Sequence, residues 1–208
     1  KAYTIHLRKI ESFSFMRVKT KLFLNFFVFI FFIWGCVGKK YRDMSISNPK
    51  KLLSMEDSLS QSGLSKSLKE SLVFAHNKLG NQALEDYELD EAKYHFDKAI
   101  YLSPQDSTLL YKSFLVKGHI LYRTGNKNKL WQSIQKYYSA ASLQKSLGEP
   151  YYYIGLAYHK IGDKDFDLII ESYDKALELN LSSDLKDMVI KQRSIALDRN
   201  RVLKNFWK

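Results

Sequence analysis

Leu79–Pro104 reads LGNQALEDYELDEAKYHFDKAIYLSP, a run in which small and large residues fall at helical steps. Leu68, Leu72, Ala75, Leu79 and Ala83 recur three or four residues apart and line one face of a helix that begins near Ser65. That face needs a cover. A second helix from about Asp90 presents Ala92, Phe96, Ala99 and Ile100 at the same kind of spacing, and Gly80 with Ala83 leaves room for the Phe96 ring. Pro104 has no N–H to donate and turns Ser103 away from the helical region, so the second helix ends there. The unit is a helical hairpin.

Two further copies follow. Gly118 and Gly125 precede Trp131, Ile134, Tyr138 and Ala141; Gly155 and Gly162 precede Phe166, Ile169, Tyr173 and Ala176. The leading glycines stand 38 and then 37 residues apart. Gly80 to Ala99 spans 19 residues, Gly118 to Ala141 spans 23 and Gly155 to Ala176 spans 21. The middle hairpin is therefore expected to carry a longer turn, at Asn126–Lys129, and Lys117 stands where Leu79 stands in the first. Three such hairpins in tandem are the signature of a repeat array.

These residues resemble the tetratricopeptide repeat: Leu79-Gly80-x2-Ala83, Ala92-x3-Phe96-x2-Ala99 and Pro104, with His76 where the family usually has Trp. The resemblance covers roughly Leu72 to Leu181. It implies an all-α array of about three tandem hairpins over residues 64–181, closed by a capping helix over 182–208. It also implies a concave groove, lined by the first helices of successive hairpins, that binds an extended peptide or a partner's helix. Carried over position by position, the groove residues are Asn77, Asn81 and Leu84; then Leu115, His119 and Tyr122; then Tyr152, Leu156 and His159, with Arg123 and Lys160 beside them. The carboxylate clamp of chaperone-binding members is matched by half, since Asn77 and Asn81 stand where it has Lys and Asn. For Tyr122 and Tyr152, packing between adjacent repeats is the competing role.

The formal charge of +11 suggests a nucleic-acid binder until it is divided along the chain. Residues 1–35 carry +5, 36–71 carry +3, 72–185 carry −2 and 186–208 carry +5. A phosphate-tracking surface needs Lys and Arg clustered on the folded face. Here the excess sits at the two ends, which argues against nucleic acid.

Leu22–Trp34 is apolar apart from Asn25 and follows Arg17, Lys19 and Lys21, the layout of a secretory signal peptide over residues 16–35. The run has 13 residues, where a spanning helix takes about 20. It ends at Ile33-Trp34-Gly35-Cys36, and Cys36 is the chain's single cysteine. A lone cysteine after a signal-like core and a small residue resembles the lipobox of bacterial lipoproteins. That resemblance implies a lipid on the Cys36 thiol, cleavage before it, and a lipid-anchored protein of the bacterial cell envelope, exposed to periplasm or surface. Trp34 departs from the pattern, and an uncleaved signal anchor is the alternative. Residues 1–15 show no feature of a domain.

After Cys36, Val37–Asn48 is polar and basic without a helical period and reads as a tether within the segment 36–63. Asn48-Pro49 then fits a helix start, with Leu52, Leu53, Met55 and Leu59 on a short amphipathic helix ending at Gly63. At the other end, Ser183-Asp184 offers a cap to a last helix. Its stripe of Leu185, Met188, Val189, Ile195, Val202 and Phe206 is interrupted by Gln192 and Arg199, as a polar-faced cap requires. The basic run Arg199, Arg201, Lys204 and Lys208 suits that helix's C-terminal end.

The histidines outside the leader, His76, His95, His119 and His159, form no HExxH and have no thiol near them. There is no phosphate-binding glycine loop. Asp163, Asp165 and Asp167 alternate as in a calcium loop but lack its central glycine and terminal glutamate. The expectation is a non-catalytic interaction scaffold without metal, cofactor or small-molecule substrate, bound to a protein or peptide and held at a membrane by its N-terminal lipid. Two alternatives stand beside it: an accessory subunit of outer-membrane protein assembly or pilus biogenesis, and an envelope enzyme with a helical substrate-binding domain.

Overall fold

The computed structural model describes residues 38–61, 63–162 and 166–206. The expected leader and Cys36, with the stretch that resembles a lipobox, lie outside them, as do Asp163 and Asp165. Residues 38–47 are helical (α1), followed by α2 (Pro49–Leu53), α3 (Glu56–Ser60), α4 (Lys66–Glu85), α5 (Leu89–Leu102) and α6 (Ser107–Thr124). Then come α7 (Lys127–Leu143), α8 (Glu149–Ile161), α9 (Phe166–Leu177) and α10 (Ser183–Phe206). The chain divides into two units, Lys1–Ser71 and Leu72–Lys208, with the boundary inside α4.

In the first unit, residues 38–47 form a helix where the sequence predicts an irregular tether. Tyr41, Met44 and Ser45 turn inward at steps of three and one, and the Ser45 hydroxyl donates back to the Arg42 carbonyl. That short face is too narrow to stand out in a basic segment. Asn48 caps α2 as its sequence suggests, its side-chain oxygen accepting from the Lys51 N–H at 3.1 Å with Pro49 in the first turn. The expected single helix is broken at Ser54-Met55 into α2 and α3.

The second unit is an all-α array of tandem hairpins, α4/α5, α6/α7 and α8/α9, with α10 packed on α9, the architecture that the resemblance implies. One contact recurs in each hairpin. A Cβ placed on Gly80 would meet the Phe96 ring at 2.8 Å, and one on Gly155 would meet the Tyr173 ring at 2.5 Å. Gly118 is closer still to Tyr137. Each glycine thus lets an aromatic ring of the second helix lie against the backbone of the first, the small-against-large fit read from Gly80 and Phe96. Ala83, Ala92 and Phe96 share a cluster with Val116, which joins the first hairpin to the second.

In α7 the ring that faces inward is Tyr137, fully buried, while Trp131 and Tyr138 are 40% and 46% exposed. This corrects the sequence reading, which placed Trp131 and Tyr138 in the stripe. Ile134 and Ala141 are compatible with either neighbour at a helical step, so periodicity does not choose between Tyr137 and Tyr138; the opening at Gly118 does. The expected turn at Asn126–Lys129 is also shorter. Gly125 takes φ 74, Asn126 accepts from the Lys129 N–H at 2.9 Å, and the helix starts at Lys127. The extra residues lengthen α7 to 17 residues against 14 in α5. Lys117, at the Leu79 position, reaches Asp97 of α5 at 2.9 Å.

The loops between hairpins pair as well. Gly148 N–H donates to Asn180 O and Asn180 N–H to Ser146 O, each at 2.9 Å, tying the α7–α8 loop to the α9–α10 loop. The last helix covers the array with Val189 and Ala196, both buried. Met188, Ile195, Val202 and Phe206 remain exposed, so the outer side of α10 is more apolar than a polar-faced cap predicts.

Candidate functional site

Side chains link α4, α6, α8 and α10 one to the next. Lys112 of α6 donates to Asn77 of α4 at 3.0 Å. Lys160 of α8 donates to the Tyr122 carbonyl of α6 at 3.2 Å, with its ammonium 4.4 Å from the Tyr122 ring centroid. Arg199 of α10 lies 2.5 Å from His159 Nε2 of α8. These links run between residues 35, 38 and 40 apart in sequence, one repeat each. The resemblance makes the face these helices share the inner one, the face that would carry the groove.

A cavity of about 440 Å³ opens on this face, lined by Tyr122, Leu156, His159, Lys160, Gly162 and Arg199. Four of the sequence-derived candidates, Tyr122, Leu156, His159 and Lys160, meet there. Arg123 does not: its guanidinium pairs with Asp90 of α5 at 3.0 Å. Asn77, Asn81 and Leu84 are half-buried on α4, outside the cavity.

Leu115, His119 and Tyr152 are buried. His119 Nδ1 lies 3.0 Å from the Tyr137 hydroxyl, and the edge of its ring meets Tyr153, centroids 4.3 Å apart. Tyr137 stacks on Tyr153, which contacts Tyr152, which contacts Tyr173. An aromatic column thus runs through the two later hairpins. Burial holds His119 neutral down to about 4. α6 is enclosed by α5 and α7, which leaves only a narrow strip of it toward the groove.

Arg199 is the site residue that sequence reasoning assigned elsewhere, to the basic tail. The signal for it was periodicity. α10 occupies the place of a fourth first helix, and 40 residues before Arg199 the same place holds His159. The resulting lining combines a ring face, an aliphatic side chain and cationic donors, groups that hold a ligand by contact and charge.

No family model matches the chain, and no curated protein matches it. Among solved structures the chain is similar to MamA 41-end from Desulfovibrio magneticus RS-1, with 17% identity over 79% of this chain and 96% of that one, TM-score 0.43. It is also similar to MamA AMB-1, with 16% identity over 73% and 97%, TM-score 0.39. What this chain binds is read from its own side chains.

Proposed function

We propose that the chain is a non-catalytic interaction scaffold whose inner face holds an extended segment of a protein partner, and that lipid on Cys36 anchors it in the bacterial cell envelope. One observation carries the binding half: residues from three successive repeats converge on one cavity, Tyr122 from α6, Leu156, His159 and Lys160 from α8, and Arg199 from α10. A segment laid across these helices meets a ring for an apolar side chain and donors for its carbonyl or carboxylate groups. Buried aromatic anchors in such grooves carry about 2 kcal/mol or more each.

The test is capture from detergent-solubilised envelopes by the full chain and by a Tyr122→Ala, Lys160→Ala variant. A partner retained by the first and weakened at least tenfold in the second supports the groove; equal retention by a folded variant overturns it. Labelling with a palmitate analogue, lost in Cys36→Ser, tests the anchor. A Ser variant that still carries label sinks it.

A further inference from the structure

On the opposite edge of the third hairpin lies a larger groove of about 760 Å³, bounded by α7, α8 and α9. Its apolar lining is Tyr138 of α7, Tyr151 and Tyr158 of α8, and Leu168 and Ile170 of α9. The tyrosines are braced by each other and by Trp131 of α7. Tyr138 meets Tyr151 edge to face at 6.3 Å, and Tyr158 meets Trp131 in the same way at 5.7 Å. Tyr138 and Leu168 are nonetheless 46% and 39% exposed, so the groove holds aromatic and aliphatic surface left open among the described residues.

The rim carries the opposite chemistry to the inner face. Asp167, Glu171 and Asp174 of α9, with Glu178 in the turn that follows it, line the groove at steps of four, three and four residues, which puts them on one side. Arg193 of α10 pairs with Asp174, and Lys175 pairs with Glu178 at 2.8 Å. Asp167 and Glu171 form no ion pair among the described residues. From Asp167 to Glu178 the ladder spans 11 residue steps, about 16 Å at the helical rise, which matches about five residues of extended chain at ~3.3 Å each. One small cation would use a single rung.

From this groove we infer a second docking site, distinct from the inner cavity, that takes a Lys- or Arg-bearing extended segment of another protein. Its cationic side chains pair with Asp167 and Glu171, and its stems lie on the Tyr138 and Tyr158 rings. Two properties select this occupant. Carboxylates at the rim over exposed rings favour a cation on an apolar stem, since ammonium and guanidinium groups are drawn both to acids and to aromatic faces. The length of the ladder favours a chain carrying several of them.

The probe is a fluorescein-labelled ten-residue peptide with alternating Lys and Leu, titrated into the full chain and followed by anisotropy, with a Glu-for-Lys peptide beside it. Binding of the basic peptide that weakens with salt and falls at least tenfold in both Glu171→Gln and Tyr138→Leu supports the site. The acidic peptide should not bind there, and Lys160→Ala on the inner face should leave basic-peptide affinity unchanged. Equal affinity in Glu171→Gln and Tyr138→Leu, with helix content intact by circular dichroism, overturns the inference. So does loss of affinity equal to that seen on neutralising the exposed carboxylates Asp86 and Glu88 far along the chain. Sedimentation of the full chain without peptide separates the remaining occupant: a dimer that Glu171→Gln dissolves assigns the groove to a second copy and overturns the hetero-partner.

Discussion

Tyr137 lies against Gly118 and Tyr173 against Gly155, both fully buried and both in the same place in their hairpins. Their hydroxyls meet different neighbours. Next to Gly118 stands His119, whose Nδ1 lies 3.0 Å from the Tyr137 hydroxyl. Next to Gly155 stands Leu156, which has nothing to offer, and the Tyr173 hydroxyl is buried without a hydrogen-bond partner among the described residues. The ring contact is therefore the conserved element of construction within this chain, and the polar pairing is an addition that one hairpin has and the other lacks. Leu156 instead lines the inner cavity. In the third hairpin a position that satisfies a buried hydroxyl in the second is given to the groove.

The largest effect should come from the element the two hairpins share. Gly118→Leu and Gly155→Leu each drive a side chain into a tyrosine ring, with a cost of about 3 kcal/mol or more, at the upper end for overpacking. Urea unfolding should show both losses alike. If only one glycine matters, the two hairpins are not built on the same contact.

Acid should then separate them. His119 is held near 4 in the folded chain by burial and sits at about 6.5 when unfolded. The unfolded state binds the proton first, so stability is intact above about pH 6.5 and falls as pH drops toward about 4, by roughly 2–3 kcal/mol. Comparing wild type with His119→Asn at pH 7 and pH 4.5 isolates this loss, and the third hairpin has no counterpart to it. An equal acid response in the variant would mean that His119 is not the group that charges.

The next change has opposite signs in the two places. Tyr137→Phe leaves the His119 ring nitrogen without its partner and should cost about 1 kcal/mol, whereas Tyr173→Phe removes an unsatisfied hydroxyl and should gain up to about 1 kcal/mol. Melting temperatures that move the same way in both would remove the distinction.

How far the sequence carried this differs by element. The Gly80–Phe96 fit, the hairpin at Leu79–Pro104, the cap at Asn48 and the helix stop before Pro104 were readable, because each depends on residues near in sequence with strong local preferences. Tyr137 against Tyr138 was not, because both lie a helical step from Ile134 and Ala141 and only the opposing backbone at Gly118 decides between them. The groove register brought Tyr122, Leu156, His159 and Lys160 to one cavity. It also named Leu115, His119 and Tyr152, which the packing of α6 and α8 between neighbouring helices buries. Arg199 came from beyond the third hairpin, on α10, whose sequence reads as a polar-faced cap and not as a continuation of the repeat. The outer groove was missed because its acidic ladder on α9 looks like a solvated helix face until the exposed tyrosines of α7 and α8 are placed beside it.

The smallest effect extends the comparison to the first hairpin. Where the middle hairpin turns on Gly125 at φ 74, the first turns on Tyr87 at φ 60, a left-handed conformation that costs an L side chain about 1–2 kcal/mol. The turn is nevertheless held: Glu88 N–H donates to Ala83 O at 2.7 Å and Tyr87 N–H to Leu84 O at 3.1 Å. Tyr87→Gly would relieve the strain, while the glycine's greater freedom in the unfolded chain takes back about 0.4–1 kcal/mol. The net gain should be under about 1 kcal/mol. Because the Tyr87 side chain is exposed, little packing is lost to obscure it. A stability that rises slightly in Tyr87→Gly, set beside a clear loss in Gly125→Ala, would show that both turns need the left-handed backbone and that only the middle one has the residue suited to it. A loss in Tyr87→Gly would mean instead that the tyrosine ring contributes more to the first hairpin than its exposure suggests.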